Sequence, residues 1–372
     1  MSAADASNTP AVGTVTGAAG STDNTGSAID TRRRAALAGI AGASLLGLGG
    51  LSARVFSRSA ATPQSAGAAD TVTHQLGWLK GVQFGGNFVA QDRGYLKQEH
   101  LRAEFTAGGP GTDYRTLVAS GRMLISESNV AGMIESHLQG QPIVAFAAVL
   151  QRDPGCILSP AARPVRSLHD MIGKTIGASS NVRAQIVVLL NKAGIDPARV
   201  KLVPVGSDPS LLAAGQIDAY YSWATTALPA LRRIGFQSHV LHMDEIGVPG
   251  YGQVLIARRD QLEQHHDLFV RYTRALIRGW SWMVQQPVQT AQMMVDKYAL
   301  PGTRLSDQIE QAELMKPFIW TGDALSKGML WIDPQVFEAS VALARAAGHI
   351  APDAPFDVSK IVTQSVIKAA LA

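Results

Sequence analysis

Eight consecutive apolar residues, Ile143 to Leu150, follow Pro142 and constrain the fold more than any other segment. A run with no polar alternation has no face to offer to water. It suits a strand covered on both sides by helices, hence a parallel sheet in an α/β arrangement. The preceding chain agrees. Strands are predicted from Thr71 to Leu79, Arg102 to Thr106 and Met123 to Ser126. Helices are predicted from Gln83 to Arg93, about Tyr114 to Ser120 and about Val130 to Leu138, closed by Gly94, Gly121 and Gly140.

Gln151-Arg152-Asp153-Pro154-Gly155 breaks this first unit, and a second begins after Cys156-Ile157-Leu158. Its strands are predicted from Lys174 to Ala178, Val200 to Val205, Ile217 to Ser222 and His239 to Met243. Its helices run from Val182 to Ala193, Leu211 to Ala214 and Leu228 to Ile234. Beyond Gly250-Tyr251-Gly252 one more strand, Gln253 to Ala257, leads into a helical tail. There Phe269, Tyr272, Leu276, Trp280 and Met283 fall at helical spacing, and helices are expected over Leu305 to Met315 and Pro334 to Ala347. No internal repeat stands out. The order predicts two α/β lobes, residues 69–155 with 252–372 and residues 156–251. Two crossings would form a hinge, and the cleft between lobes is the expected ligand site, beyond the carboxyl ends of the strands.

The first 68 residues do not belong to that body. Residues 1–30 are poor in bulky apolar side chains, so little burial offsets the entropy of ordering them. Arg32-Arg33-Arg34 precede an apolar stretch, Ala35 to Leu51, of 17 residues with five glycines, and Ala66-Gly67-Ala68 offers a cleavage site. These features resemble a twin-arginine export signal, although small alanines replace the usual Phe-Leu pair. A retained membrane anchor is the alternative, but the stretch is short and weakly apolar for a span. Export to the periplasm with cleavage near Ala68 is expected. Cys156 is the single cysteine, which excludes an internal disulfide. From residue 69 onward 28 basic and 26 acidic residues leave a balance of +2, which gives no electrostatic case for nucleic acid.

Taken in order, several pieces resemble the NMT1/THI5-like group of ABC-importer substrate-binding proteins. They are Trp78 with Gln83-Phe84-Gly85-Gly86, Asp92-Arg93-Gly94-Tyr95, Gly108-Gly109-Pro110-Gly111, Gln151-Arg152-Asp153-Pro154 and Gly215-Gln216-Ile217-Asp218-Ala219. Thiamine-pyrimidine precursors, riboflavin, alkanesulfonates, taurine and nitrate are ligands within that group. The resemblance implies a type II periplasmic-binding-protein fold that closes on a small ligand and delivers it to a permease of the inner membrane. Trp78, Gln83-Phe84 and the Gln-Arg-Asp-Pro turn favour the heteroaromatic branch over the sulfonate and nitrate branch. Two positions depart from the group: His100 stands where a turn glycine is usual, and Met123 to Ser128 lack a usual Asp.

Candidate site residues have a ligand role and a plainer one. Trp78 is suited to stacking on a flat ring or to core packing. Gln83 and Asn87 can hydrogen-bond ring atoms or merely face water. Gly108, Gly109 and Asp113 either cradle a polar group or form a tight turn. Glu127 and Ser128, at the end of the third strand, either meet an amino group or cap the next helix. Arg152 and Asp153 either orient ligand or lock the hinge. Ser180 and Asn181 head a helix in the second lobe. With period two, Tyr221 and Trp223 share a face that Tyr220 does not, and they are expected as the opposite wall of an aromatic clamp.

Tyr272, Trp280 and Trp282 read as core. His239 with His242, and His265-His266, lack a third metal ligand, so no metal or cofactor is expected. No nucleophile elbow or zinc-helix motif occurs. Pyrimidine synthases that share the implied fold carry a cysteine-rich iron-binding segment, which one cysteine cannot form. The expectation is a monomeric receptor without catalytic residues.

Overall fold

The computed structural model describes residues 69–109, 111–206 and 208–372, without the side chains of Ser180 and Asn181. The export-signal segment, 1–68, lies outside the described residues.

The chain opens with β1 (Asp70–Gln75), α1 (Gly85–Asp92), α2 (Tyr95–Gln98), β2 (Leu101–Thr106), α3 (Tyr114–Ala119), β3 (Ile125–Ser128), α4 (Val130–Leu138) and β4 (Ile143–Leu150). After the first crossing come β5 (Gly155–Pro160), β6 (Thr175–Ala178), α5 (Ser180–Lys192), β7 (Lys201–Pro204), α6 (Ser210–Ala213), β8 (Ala219–Trp223), α7 (Ala224–Arg233) and β9 (Ser238–His242). The second crossing leads to β10 (Gln253–Arg258), α8 (Arg259–Gln264), α9 (His266–Gln285), α10 (Pro287–Lys297), α11 (Leu305–Ile319), α12 (Asp323–Lys327), α13 (Pro334–Ala346) and α14 (Ser365–Leu371). No described helix is long and apolar enough to cross a membrane.

Two five-stranded sheets result, ordered β2-β1-β3-β10-β4 and β7-β6-β8-β5-β9. The expected parallel sheet is corrected to a mixed one. β1 pairs in parallel with β2 and β3, whereas β10 runs antiparallel to both β3 and β4. In the second sheet β5 is antiparallel to β8 and β9. The reason lies in the crossings. β4 ends at the cleft, so the chain enters the second sheet from its cleft side and must run away from it. β10 enters the first sheet in the same way. The carboxyl ends of the other strands therefore face the gap between lobes.

All eight residues of β4 are buried, as their composition requires. In the first core α9 buries Phe269, Tyr272, Leu276, Trp280 and Met283. It approaches α1 closely. A Cβ on Gly86 would fall 2.2 Å from the Trp280 ring, and one on Gly279 would fall 2.1 Å from the Gly86 carbonyl oxygen. Neither position has room for a side chain. His100 takes a φ of 56° in the turn before β2, a left-handed conformation that glycine would adopt more easily.

The described residues, all within 69–372, belong to one compact unit, since the tail helices touch both sheets' cores. Leu314 of α11 packs against the second lobe beside α7, and Leu343 of α13 packs against its other core cluster. Arg232 and Arg233 of α7 pair with Glu310 and Asp307 of α11.

Candidate functional site

The turn after β1 is held from several sides. Gly77 N–H donates to Glu127 Oε2 at 2.7 Å, and Gly108 N–H donates to the Trp78 carbonyl at 2.9 Å. Val82 N–H donates to Gln308 Oε1 of α11 at 2.7 Å. A Cβ on Gly108 would fall 2.3 Å from the Leu76 carbonyl oxygen, so this approach requires glycine. On the fixed turn Trp78 and Leu79 are each 40% exposed, at the cleft end of β1. Large apolar groups presented to water on a rigid support suit a ligand contact.

Glu127 has a different task from the expected ligand contact. It is 4% exposed, and both oxygens are engaged: Oε2 by Gly77 and Oε1 by His74 Nε2 at 2.8 Å. His74 Nδ1 in turn meets the Tyr272 hydroxyl at 2.6 Å. A carboxylate only accepts, so Nε2 donates to Glu127, and Nδ1 shares the second hydrogen bond with the Tyr272 hydroxyl. Burial, reinforced by the Glu127 charge, pushes the Tyr272 phenol well up and keeps it a donor.

Other expected site residues also turn inward. Phe84 is fully buried in the first core, and Asn87 is buried with its Oδ1 accepting from Trp280 Nε1 at 3.0 Å. The cause is the close seating of α9 on α1. Gln83 remains part-exposed at the head of α1. Asp113 caps α3 by accepting from Thr116 N–H at 3.1 Å, and these hydrogen bonds lower its pKa. Gly109 belongs to a turn closed by Thr112 N–H onto its carbonyl. Ser128 is 5% exposed and donates to the Asn129 carbonyl. Ser180 opens α5, but its side chain and that of Asn181 lie outside the described residues.

Arg152 joins the two crossings. Its guanidinium donates to both carboxylate oxygens of Asp244, reaches Glu245 at 3.4 Å and lies over the Phe318 ring of α11 at 5.7 Å. The Asp244 hydrogen bonds raise the Arg152 pKa against the effect of burial. Burial works to raise Asp244, yet hydrogen bonds and charge from Arg152 hold its carboxyl low.

A cavity of about 440 Å³ opens between the lobes. Tyr114, Arg115 and α4 line it from the first lobe, and Val182, Gln185, Val188 and Tyr221 from the second. Asp153, residues 248–251 and the end of α13 close it along the hinge. Arg115 is already engaged, donating to the Gly132 carbonyl at 2.8 Å and pairing with Glu135 at 2.9 Å. Asn129 Oδ1 accepts from Gly132 N–H at 2.8 Å. The hydroxyls of Tyr114 and Tyr221 have no protein hydrogen-bond partner among the described residues, and burial pushes both phenols up. Burial likewise pushes the Asp153 carboxyl up.

Tyr221 thus lines the cavity, while Tyr220 is 1% exposed and donates to the Gly206 carbonyl, as alternation along β8 dictates. Trp223, also part-buried, does not line the cavity and packs against the first lobe's core instead. Asp153, one of the two hinge candidates, lines the cavity, whereas Tyr114 and Gln185 are cavity residues outside the expected ligand set. Asp153 carried a signal, the turn at which the first unit ends. Cys156 is buried, and burial drives its thiol up, out of range as a nucleophile at neutral pH.

A sequence model described as NMT1/THI5 like matches residues 82–290. The formylaminopyrimidine-binding protein of Halalkalibacterium halodurans is 25% identical over 252 residues, which cover 66% of this chain and 76% of that one. The riboflavin-binding protein RibY of Chloroflexus aurantiacus is 21% identical over 320 residues, 83% and 89% of the two chains. A 4-amino-5-hydroxymethyl-2-methylpyrimidine phosphate synthase of Legionella pneumophila is 19% identical over 60% of this chain and 72% of its own. Among solved structures, the periplasmic aliphatic sulphonate binding protein SsuA of Escherichia coli superposes with a TM-score of 0.59. The match has 14% identity and covers 79% of this chain and 92% of that one, a likeness of fold.

Proposed function

The chain belongs to the NMT1/THI5-like family, and from that premise we propose that it is the solute-binding component of an ABC importer. It captures a small, flat heteroaromatic ligand between two hinged lobes and delivers it to a permease of the inner membrane. The lobes are residues 69–155 with 252–372 and residues 156–251. The Arg33-Arg34 leader carries the protein through the twin-arginine route to the periplasm, where it acts as a monomer.

One observation carries the choice of ligand. The cavity is walled by two tyrosines with open hydroxyls, and its cation, Arg115, is already paired with Glu135. A sulfonate or nitrate needs a free cation or a row of open N–H donors, whereas a ring needs aromatic walls and a few polar anchors. Trp78 supplies a further aromatic surface at the cleft end of β1. Gln83, Gly108 and Gly109 contribute from the surrounding turns, and Ser180 and Asn181 from the start of α5, as the lobes close. Related binding proteins for a formylaminopyrimidine and for riboflavin support the reading. The single cysteine argues against the iron-binding synthase chemistry of this fold.

Isothermal titration of the mature protein against aminopyrimidines, thiamine, riboflavin and alkanesulfonates tests it. At least one heteroaromatic compound should bind tightly. Binding confined to alkanesulfonates would refute the ligand assignment, and silence across the panel would refute the receptor role for these compounds.

A further inference from the structure

The cavity contains a carboxylate that the protein uses only in part. Asp153 Oδ1 accepts Gly155 N–H at 2.7 Å, which fixes the carboxyl plane, while Oδ2 has no hydrogen-bond partner among the described residues. The Tyr221 hydroxyl stands beside it. A Cβ on Gly155 would fall 2.7 Å from that hydroxyl and 3.0 Å from Asp153 Oδ1. Glycine at 155 is what lets the phenol and the carboxyl group share this corner. The other acids near the ligand space are occupied: Glu135 by Arg115, and Glu127 by His74 and Gly77. Asp153 is therefore the acceptor in the cavity wall whose charge no described cation pairs.

Resting on the ligand reading above, we propose that Asp153 is the recognition acid of the site. Its Oδ2 accepts hydrogen bonds from an amino group or a protonated ring nitrogen of the bound heterocycle. The hydroxyls of Tyr221 and Tyr114, together with the Asn129 amide N–H groups, complete a polar collar around that edge. A carboxylate partly withdrawn from water is costly until a donor reaches it, so a ligand with an N–H edge gains what an analogue without one forfeits. An anionic ligand would bring like charge against Asp153. The site thus selects amino-substituted heteroaromatic compounds.

The test compares a 4-aminopyrimidine with its analogue bearing methyl in place of the amino group, on the wild type and on D153N. Asn keeps a side-chain carbonyl for Gly155 N–H, and melting curves check that the variant folds. The wild type should bind the amino compound at least about tenfold more tightly than the methyl analogue. D153N should lose a similar factor for the amino compound and bind the two alike. Should D153N not fold, the wild-type comparison and Y221F decide, the latter with a loss of about threefold. Equal wild-type affinity for both compounds overturns the proposal, as does a folded D153N that keeps wild-type affinity and preference. Those outcomes leave the receptor reading standing. Failure of the wild type to bind any heterocycle removes that reading, and the role of Asp153 with it.

Discussion

Glu127 and Gly77 are joined by a 2.7 Å hydrogen bond that makes the end of β3 and the turn carrying Trp78 one rigid piece. Behind the carboxylate stand His74 and Tyr272, so a strand, a turn and a tail helix share one buried polar chain. Such chains are worth most when every member is satisfied.

Replacing Glu127 by Ala leaves His74 and the Gly77 N–H without their acceptor. The expected cost is about 1–3 kcal/mol of stability, seen as a lower midpoint in urea. Ligand affinity should fall too, because the Trp78 turn loses its anchor. A variant as stable as wild type would remove the structural role given to Glu127.

Trp78→Ala should behave in the opposite way. The side chain is 40% exposed, so melting should barely change, while affinity drops by roughly tenfold to a hundredfold. Titration following tryptophan fluorescence reads both quantities. Unchanged affinity would exclude Trp78 from the site.

The raised Asp153 pKa has a defined sign in stability. The folded state holds this proton more tightly than the unfolded chain. Below both pKa values the carboxyl group is neutral and costs nothing on this account. As pH rises through the unfolded and then the folded value, ionising this half-buried carboxylate destabilises the fold, fully so above the folded value. D153N should therefore melt above wild type at pH 7, and the gap should narrow toward the ordinary carboxylate range. A gap independent of pH would contradict this.

Gly279→Ala places a methyl 2.1 Å from the Gly86 carbonyl oxygen, with backbone on both sides of the contact. The helices α1 and α9 must then separate, at about 1–3 kcal/mol. Calorimetry should show a lower melting temperature, and an unchanged value would mean that the two helices part freely.

Much of the fold was legible because it is local. The span Val130 to Leu138 carries its own N-cap and glycine stop, and it forms the helix those signals describe. The spacing of Phe269, Tyr272, Leu276, Trp280 and Met283 foretells the buried stripe of α9. What local pattern cannot show is direction and distant partners. Nothing within residues 253–258 says that the strand runs against its neighbours, because its direction is set by where the crossing enters. Asn87 reads as a free amide at a helix start, and only a glycine 192 positions later brings Trp280 onto it. Glu127 looks like an acid at a strand end, and its two partners lie 53 and 50 residues earlier in the chain. Asp153 shows in sequence as a hinge residue that either orients ligand or locks the crossing, and its open oxygen is a property of the cavity around it that no local pattern carries.

The insertion of β10 between β3 and β4 also sets an order of assembly. On the ribosome the sheet of β5 to β9 is complete once residue 242 has emerged, whereas β4, the most apolar strand, still lacks its ladder partner. The continuous half can finish folding first, while the interrupted half holds an open seam until the returning strand arrives. During that interval nascent chains are most exposed to misassociation, and a chaperone that shields Ile143 to Leu150 would protect the step most in need of it.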